Sequence, residues 1–237
     1  MEFGKITAVC ISSRQEPWYL PSIPFYCHTD SYKPVSKGKD RDRVEYLAKR
    51  RYDAAIEALK IFPQTEYFLG VDSYYVRQPT AIHRIVEEFQ EKNEEIILGA
   101  STWRIHDQTV PRRAVFWDTW TTPEASRAPF SKTGWMKVKA VGGLIICPRW
   151  VFEKVGFGVL EPFPESGTEM NYCCVKSGPP VWLTFNVKVW HPPPFEPTPL
   201  WKAMIKTARV RLNLGRSFRI AKQIRDGIQS SKISGNN

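Results

Sequence analysis

The stretch Tyr67-Phe68-Leu69-Gly70-Val71-Asp72-Ser73-Tyr74-Tyr75 decides how this chain is read. An apolar run of this length after a helix-like segment predicts a buried strand, and a carboxylate at its exit stands where open α/β sheets bind ligands. Asp72 is therefore the first candidate site residue, with Ser73 beside it. An aspartate there suits a divalent cation that bridges a diphosphate, because hard cations take oxygen ligands and offset phosphate charge. The competing account is an Asp that starts a turn or caps the helix expected near Thr80.

Working outward, strand and helix periods alternate. Upstream, Ile6-Thr7-Ala8-Val9-Cys10-Ile11 reads as a first strand that ends in the polar Ser12-Ser13-Arg14. Residues 17–39 are rich in proline, serine and aromatics, an irregular connection with a short strand near Phe25-Tyr26-Cys27. From Asp40 to Leu59 the residues Val44, Leu47, Ala48, Ala55, Ile56 and Leu59 form an apolar helical stripe, interrupted by Lys49-Arg50-Arg51. Downstream, a helix opens at Pro79 and runs to about Lys92, and Glu95 to Ser101 reads as another strand. This order predicts an α/β fold, a doubly wound, mostly parallel sheet flanked by helices.

Residues 102–137 are aromatic and polar without clear periodicity, and a loop this long in a compact domain is usually functional. Aromatic faces stack on the apolar faces of sugars, and Trp135, nearest the glycine pair that follows, is the choice for an acceptor wall. The competing account has these rings roof the sheet. Next come Gly142-Gly143, which permit close backbone approach to a ligand, and Leu144 to Cys147, a strand leading into a short helix ended by Gly156.

At 237 residues and 42% hydrophobic, the chain holds one substantial domain and an appendage, divided here as 1–195 and 196–237. No stretch approaches the roughly 20 apolar residues of a membrane-spanning helix, and the start lacks a secretory apolar centre, so a cytoplasmic location is expected. The five cysteines form no CxxC pair and are expected reduced, mostly as core. The net charge of +10 is unevenly spread. From Leu200 onward nine basic residues face one acid, Asp226, a net of +8, which leaves a near-neutral body. That distribution argues against nucleic acid as the partner of the main domain. Trp201, Met204, Ile205, Ala208 and Leu212, then Phe218, Ala221, Ile224 and Ile228, fall at helical spacing. Residues 200–228 therefore predict basic amphipathic helices, suited to an anionic membrane surface on which the protein would sit peripherally, or to packing on protein.

The signals together resemble the GT-A fold nucleotide-sugar glycosyltransferases, in particular the inverting family 2 type. The resemblance is carried, in order, by Ile6 to Arg14, Leu47-Ala48-Lys49-Arg50-Arg51-Tyr52, Asp72-Ser73-Tyr74, Val141 to Gly156, Gly167-Thr168-Glu169-Met170 and Val187-Lys188-Val189-Trp190-His191, over roughly residues 5 to 192. Tyr74 replaces the second aspartate of the family's Asp-x-Asp, and Met170 the aspartate after its glutamate. The resemblance implies a UDP- or GDP-linked sugar as donor, a glycan or lipid-linked acceptor, and manganese or magnesium held by Asp72 with His191.

Inverting transfer needs a carboxylate to take the acceptor's proton. Glu169 is the expected base and Glu165 its substitute, with helix N-terminal acids capped by Thr168 or Ser166 as the competing account. The donor falls to Ser12, Ser13, Arg14, Arg51, Asp72, Ser73, Gly142 and Gly143, since a guanidinium pairs with phosphate in a fork. Two other classes stay open: a non-catalytic nucleotide- or sugar-binding protein of the same fold, and a nucleic-acid-binding protein that uses the basic tail.

Overall fold

The computed structural model describes residues 5–12, 22–29, 40–92, 95–106 and 113–191, and residues 201, 202, 204, 205 and 207. Ser13, Arg14 and most of the basic tail lie outside these, so the tail's expected membrane role and two of the donor candidates do too. Among the described residues no helix is long and apolar enough to cross a membrane.

The first strand, β1 (Ile6–Ser12), lies between β2 (Phe25–Thr29) and β3 (Tyr67–Asp72) and is parallel to both. Helix α1 (Arg41–Ile61) joins β2 to β3, and α2 (Pro79–Lys92) joins β3 to β4 (Ile97–His106). After β5 (Arg113–Phe116) and β6 (Trp135–Lys137), β7 (Leu144–Pro148) inserts between β3 and β4, antiparallel to both. The short helix α3 (Glu169–Ser177) precedes β8 (Val181–Trp190), which is parallel to β4 and antiparallel to β6. The path is β2-β1-β3-β7-β4-β8-β6, with β5 paired to β4 beside it. Strands β1, β2, β3, β4 and β8 share one direction, so the sheet is mostly parallel, as expected from the alternating order.

Alternation along the strands sends side chains to two faces. Ile6, Ala8, Leu69, Val71, Leu144 and Ile146 meet Ile82, Ile85, Val86 and Phe89 of α2 in one buried cluster. On the other face lie α1, α3 and a single π-helical turn at Val151–Val155, which ends at Gly156 with φ +68°. Helix α1 buries Val44, Ala48, Ala54, Ala55 and Ala58, small residues that let its axis approach the sheet. Asp40 caps it, its side chain accepting from the Asp42 amide.

The aperiodic middle segment is the part that sequence periodicity did not resolve. It contains the end of β4, β5 and β6, held by pairings distant in sequence, such as Trp135 opposite Thr184. Trp103 is fully buried, its indole donating to Ser101 Oγ at 2.9 Å, so this ring belongs to the core. Of the cysteines, Cys10, Cys147, Cys173 and Cys174 are buried and Cys27 half-buried, all unbridged. Contacts group residues Met1–Arg104 with Phe116–Pro192 in one unit, and Ile105–Val115 with Pro193–Asn237 in another. In the second unit Trp201, Met204 and Ile205 are exposed and helical.

Candidate functional site

Helices α1 and α2 flank β3 on opposite faces of the sheet, so a crevice opens at the carboxyl end of β3, where such sheets bind ligands. Asp72 ends that strand. Its amide donates to Gly143 O at 2.7 Å and its carbonyl accepts from Tyr75 N at 2.8 Å, a turn that holds the carboxylate at the crevice. Asp72 thus stands at the exit of the buried strand and also starts a turn, as the competing account has it.

Arg51 reaches this carboxylate from α1. Its Nη2 donates to Asp72 Oδ1 at 2.7 Å and its Nε to Glu169 Oε1 at 2.9 Å. One guanidinium therefore ties the middle of α1 to the end of β3 and the first residue of α3. The side chains of Arg51, Asp72 and Glu169 are 16%, 35% and 5% exposed. Burial alone would lower the arginine pKa, but the Asp72 and Glu169 charges and hydrogen bonds outweigh it and hold the pKa above its ordinary value. Glu169 is fixed by a capping box in which Thr168 accepts from the Met170 amide and Asn171 Oδ1 accepts from the Thr168 amide.

The sequence reading passed over a further acid, Asp118, whose carboxyl feels the Asp72 and Glu169 charges. Asp118 follows β5, and its Oδ2 lies 3.1 Å from where a Gly142 Cβ would stand. Burial pushes its carboxyl up to about 6, Thr121 hydrogen bonds oppose the rise, and the Asp72 and Glu169 charges add to it. The loop carrying Asp118 is anchored on α3, since Asn171 Nδ2 donates to Thr121 O at 3.0 Å. A carboxyl pushed toward neutrality by burial, and raised further by two carboxylate charges, is a candidate acid or base. The available signal was only an acid in a long aperiodic segment.

Gly142 and Gly143 permit close approach, but by protein. Gly143 has φ +74°, and a Cβ there would lie 2.7 Å from Tyr75 Cε2. Gly143→Ala is expected to destabilise the fold by roughly 1–3 kcal/mol, from left-handed strain and the Tyr75 clash together. Equal melting temperatures for variant and wild type would refute this. Tyr75 is itself buried, and burial with the Asp72 charge raises its pKa.

The other expected residues divide. Ser73 lies half-buried in the turn after Asp72, and β1 carries the Ser12 backbone to the same end of the sheet. His191 follows β8 with its ring between Tyr74 and Trp117, centroids 5.3 and 5.0 Å away, and the Arg104 guanidinium lies over Trp117 at 4.4 Å. Glu165 is exposed in the loop before α3 and is not brought into the Arg51 cluster. Trp135 is displaced from its expected role as acceptor wall. It lies in β6, its indole donating to Glu88 Oε2 at 2.7 Å and its ring beside Trp182 and Lys92, so it packs on the C-terminal half of α2.

The expected divalent cation finds a poor ligand set. Asp72 is ion-paired with Arg51, His191 is flanked on two sides by aromatic rings, and among the described residues no three His, Cys, Asp or Glu converge to hold a metal. These residues do not fit a resident metal, and no chemical step is assigned to one.

Beside Arg51 is a small gap with room for about one water molecule, walled by Val9, Ile11, Gly70, Ile145 and Phe152. Strands and helices together make the α/β architecture, a mostly parallel sheet flanked by helices, expected from the sequence. No family model matches the chain, and no curated protein matches it. Among solved structures, the crystal structure of GalNAc-T7 with UDP, GalNAc and Mn2+ is similar at 13% identity with a TM-score of 0.39. The match covers 79% of this chain and 43% of that one, so the chain spans less than half of that protein's length.

Proposed function

We propose that this chain is a glycosyltransferase that moves a sugar from a UDP- or GDP-linked donor to an acceptor hydroxyl with inversion. The observation that supports it is the Arg51-Asp72-Glu169 cluster with Asp118 beside it, in the crevice at the carboxyl end of β3. In this reading a carboxylate takes the proton of the acceptor hydroxyl, the oxygen attacks the anomeric carbon from the opposite face, and the carbon–oxygen bond to the diphosphate breaks. Glu169 was the expected base, but its Oε1 is engaged by Arg51. Asp118 suits the task better, since a pKa of about 6 leaves it ionised at neutral pH and more basic than an ordinary aspartate. Asp72 and Glu169, oriented by the shared guanidinium, are assigned to hydroxyls of the ribose or donor sugar.

Three groups with two negative charges and one positive leave a net charge of −1, so a diphosphate beside them needs positive charge that they do not supply. Calorimetric titration with UDP, GDP and their sugar conjugates, with and without manganese, tests the reading alongside Asp72→Ala. Saturable binding that falls at least tenfold in the variant is expected. Absence of binding to every nucleotide, with or without the metal, would sink the donor assignment. A second reading, a nucleotide- or sugar-binding protein without turnover, is favoured by the engagement of both carboxylates by Arg51; it predicts the same binding and no transfer or hydrolysis.

A further inference from the structure

At the described start of the basic tail, a helical segment holds apolar side chains out in solvent. Trp201, Met204 and Ile205 stand three and four residues apart, on one face of that segment, and are 60%, 56% and 46% exposed. Single exposed apolar residues are ordinary, whereas three large ones side by side mark a contact surface. In the sequence the same spacing continues to Ala208 and Leu212. Lys202, Lys206 and Arg209 each follow an apolar member of this series by one position, about 100° of helical rotation. The pattern therefore sets a basic flank beside the apolar stripe. Of the chain's net charge of +10, the residues from Leu200 onward carry +8.

Each half of this pattern has its own class of partner, and one partner takes both halves. A nucleic acid would pair with the cations and leave Met204 and Ile205 in water. A protein interface would bury the stripe, but the core of such an interface is depleted of charge. An anionic bilayer surface accepts the stripe at the acyl boundary while ammonium and guanidinium groups stay among the headgroup phosphates. The Lys202 ammonium lies 5.3 Å from the centre of the Trp201 ring, and the indole keeps most of its surface free beside it. At headgroup level that pair fits, since indoles seat there and the long lysine stem reaches outward to phosphate. Cations recurring at every third or fourth position suit a helix that lies in the plane of the interface rather than one that crosses it.

We infer that the helical segment of Trp201, Met204 and Ile205 is a docking surface for a bilayer rich in anionic phospholipid, with the apolar stripe inserted and Lys202, Lys206 and Arg209 at the phosphates. The inference requires no donor, acceptor or transfer, so it stands apart from the transferase reading.

The test is co-sedimentation of the full chain with vesicles of phosphatidylcholine, alone or with phosphatidylglycerol as about a third of the lipid, at low and high salt. Ile205→Glu and the double variant Lys202→Glu, Lys206→Glu are measured in parallel, with melting temperatures to confirm that both fold. Partition into the anionic vesicles should exceed that into neutral ones by about tenfold or more, and should weaken as salt rises. Ile205→Glu should lower it about tenfold, through the apolar contact, and the double variant should abolish the preference for anionic lipid. Binding to neither vesicle, equal binding to both, or unchanged binding in Ile205→Glu overturns the inference. Without vesicle binding, duplex DNA held as tightly by Ile205→Glu as by wild type would give the tail to nucleic acid. A dimer in light scattering that Ile205→Glu dissociates, again without vesicle binding, would give the stripe to a second copy of the chain. Either result likewise overturns it.

Discussion

Replacing Arg51 with alanine should cost this fold about 3–5 kcal/mol, the usual penalty for removing one partner of a buried ion pair. The cost falls mainly on Glu169, 5% exposed and left without its counter-charge, whereas Asp72, 35% exposed, recovers most of its loss from water. For a domain of this size the melting temperature should drop by roughly 6–20 °C. Arg51→Lys keeps the charge but offers one ammonium in place of a fork that spans two carboxylates, so it should fall between alanine and wild type. The decisive comparison adds Glu169→Gln to Arg51→Ala. If the penalty comes from an unpaired buried charge, the double variant recovers a good part of it, a coupling that a double-mutant cycle reads directly. An Arg51→Ala protein as stable as wild type would show that the bridge contributes nothing, and the site would lose its organising element.

Asp118→Asn should separate stability from activity. The folded-state pKa of about 6 lies above the ordinary 3.8, so between those values the folded chain holds a proton that the unfolded chain releases. Wild-type stability should therefore be greatest at the acid end of that window as far as Asp118 is concerned, decline as pH rises from about 4 to about 6, and level off above it. The asparagine variant lacks the decline. At pH 7 it should be the more stable protein, by up to about 3 kcal/mol on the linkage of about 1.4 kcal/mol per pKa unit. Catalysis should move the other way, because loss of a general base lowers kcat by about 10²–10⁴. The wild-type rate should rise through about pH 6 as the carboxyl ionises. Unchanged transfer in Asp118→Asn would return the base role to Glu169, and an unchanged pH–stability slope would remove the physical basis for choosing Asp118.

Legibility in the sequence followed periodicity closely. The expected strands at 6–11 and 67–71 and the helices at 40–59 and 79–92 appear as β1, β3, α1 and α2 within a residue or two, because each buries one face or lies wholly within the core. Thr168 caps α3 as its position before Glu169 suggested. Arg51 was chosen as a donor contact, but the more telling signal was its place in the helix. Val44, Ala48, Arg51, Ala55 and Ala58 follow one another at steps of four and three, so the arginine lies in the buried seam of α1 and was bound to need buried partners. What could not be read was anything fixed by pairing across long separations. Trp135 and Trp117 are both tryptophans in one aperiodic segment; one packs on α2 and the other against His191 and Arg104 because β6 pairs with β8 while Trp117 follows β5. Asp118 carried no local mark, since its altered proton affinity comes from burial and from charges contributed by β3 and α3. Tyr74 looked like a missing acid and proved to be an exposed ring beside His191.

The Arg51 bridge also has a bearing on the order in which this chain can become functional. Its two bonds join residues 21 and 118 positions apart in sequence, so the nearer can form with the first half of the chain while the farther waits for α3. Contacts that close loops of such different length carry different entropic costs and tend to form at different stages of folding. A nascent or truncated chain ending before Glu169 would possess β3, α1 and the Asp72 contact, yet hold a guanidinium with half of its partners. Docking of α3 is therefore the event that supplies Glu169 and completes the second bond of the guanidinium.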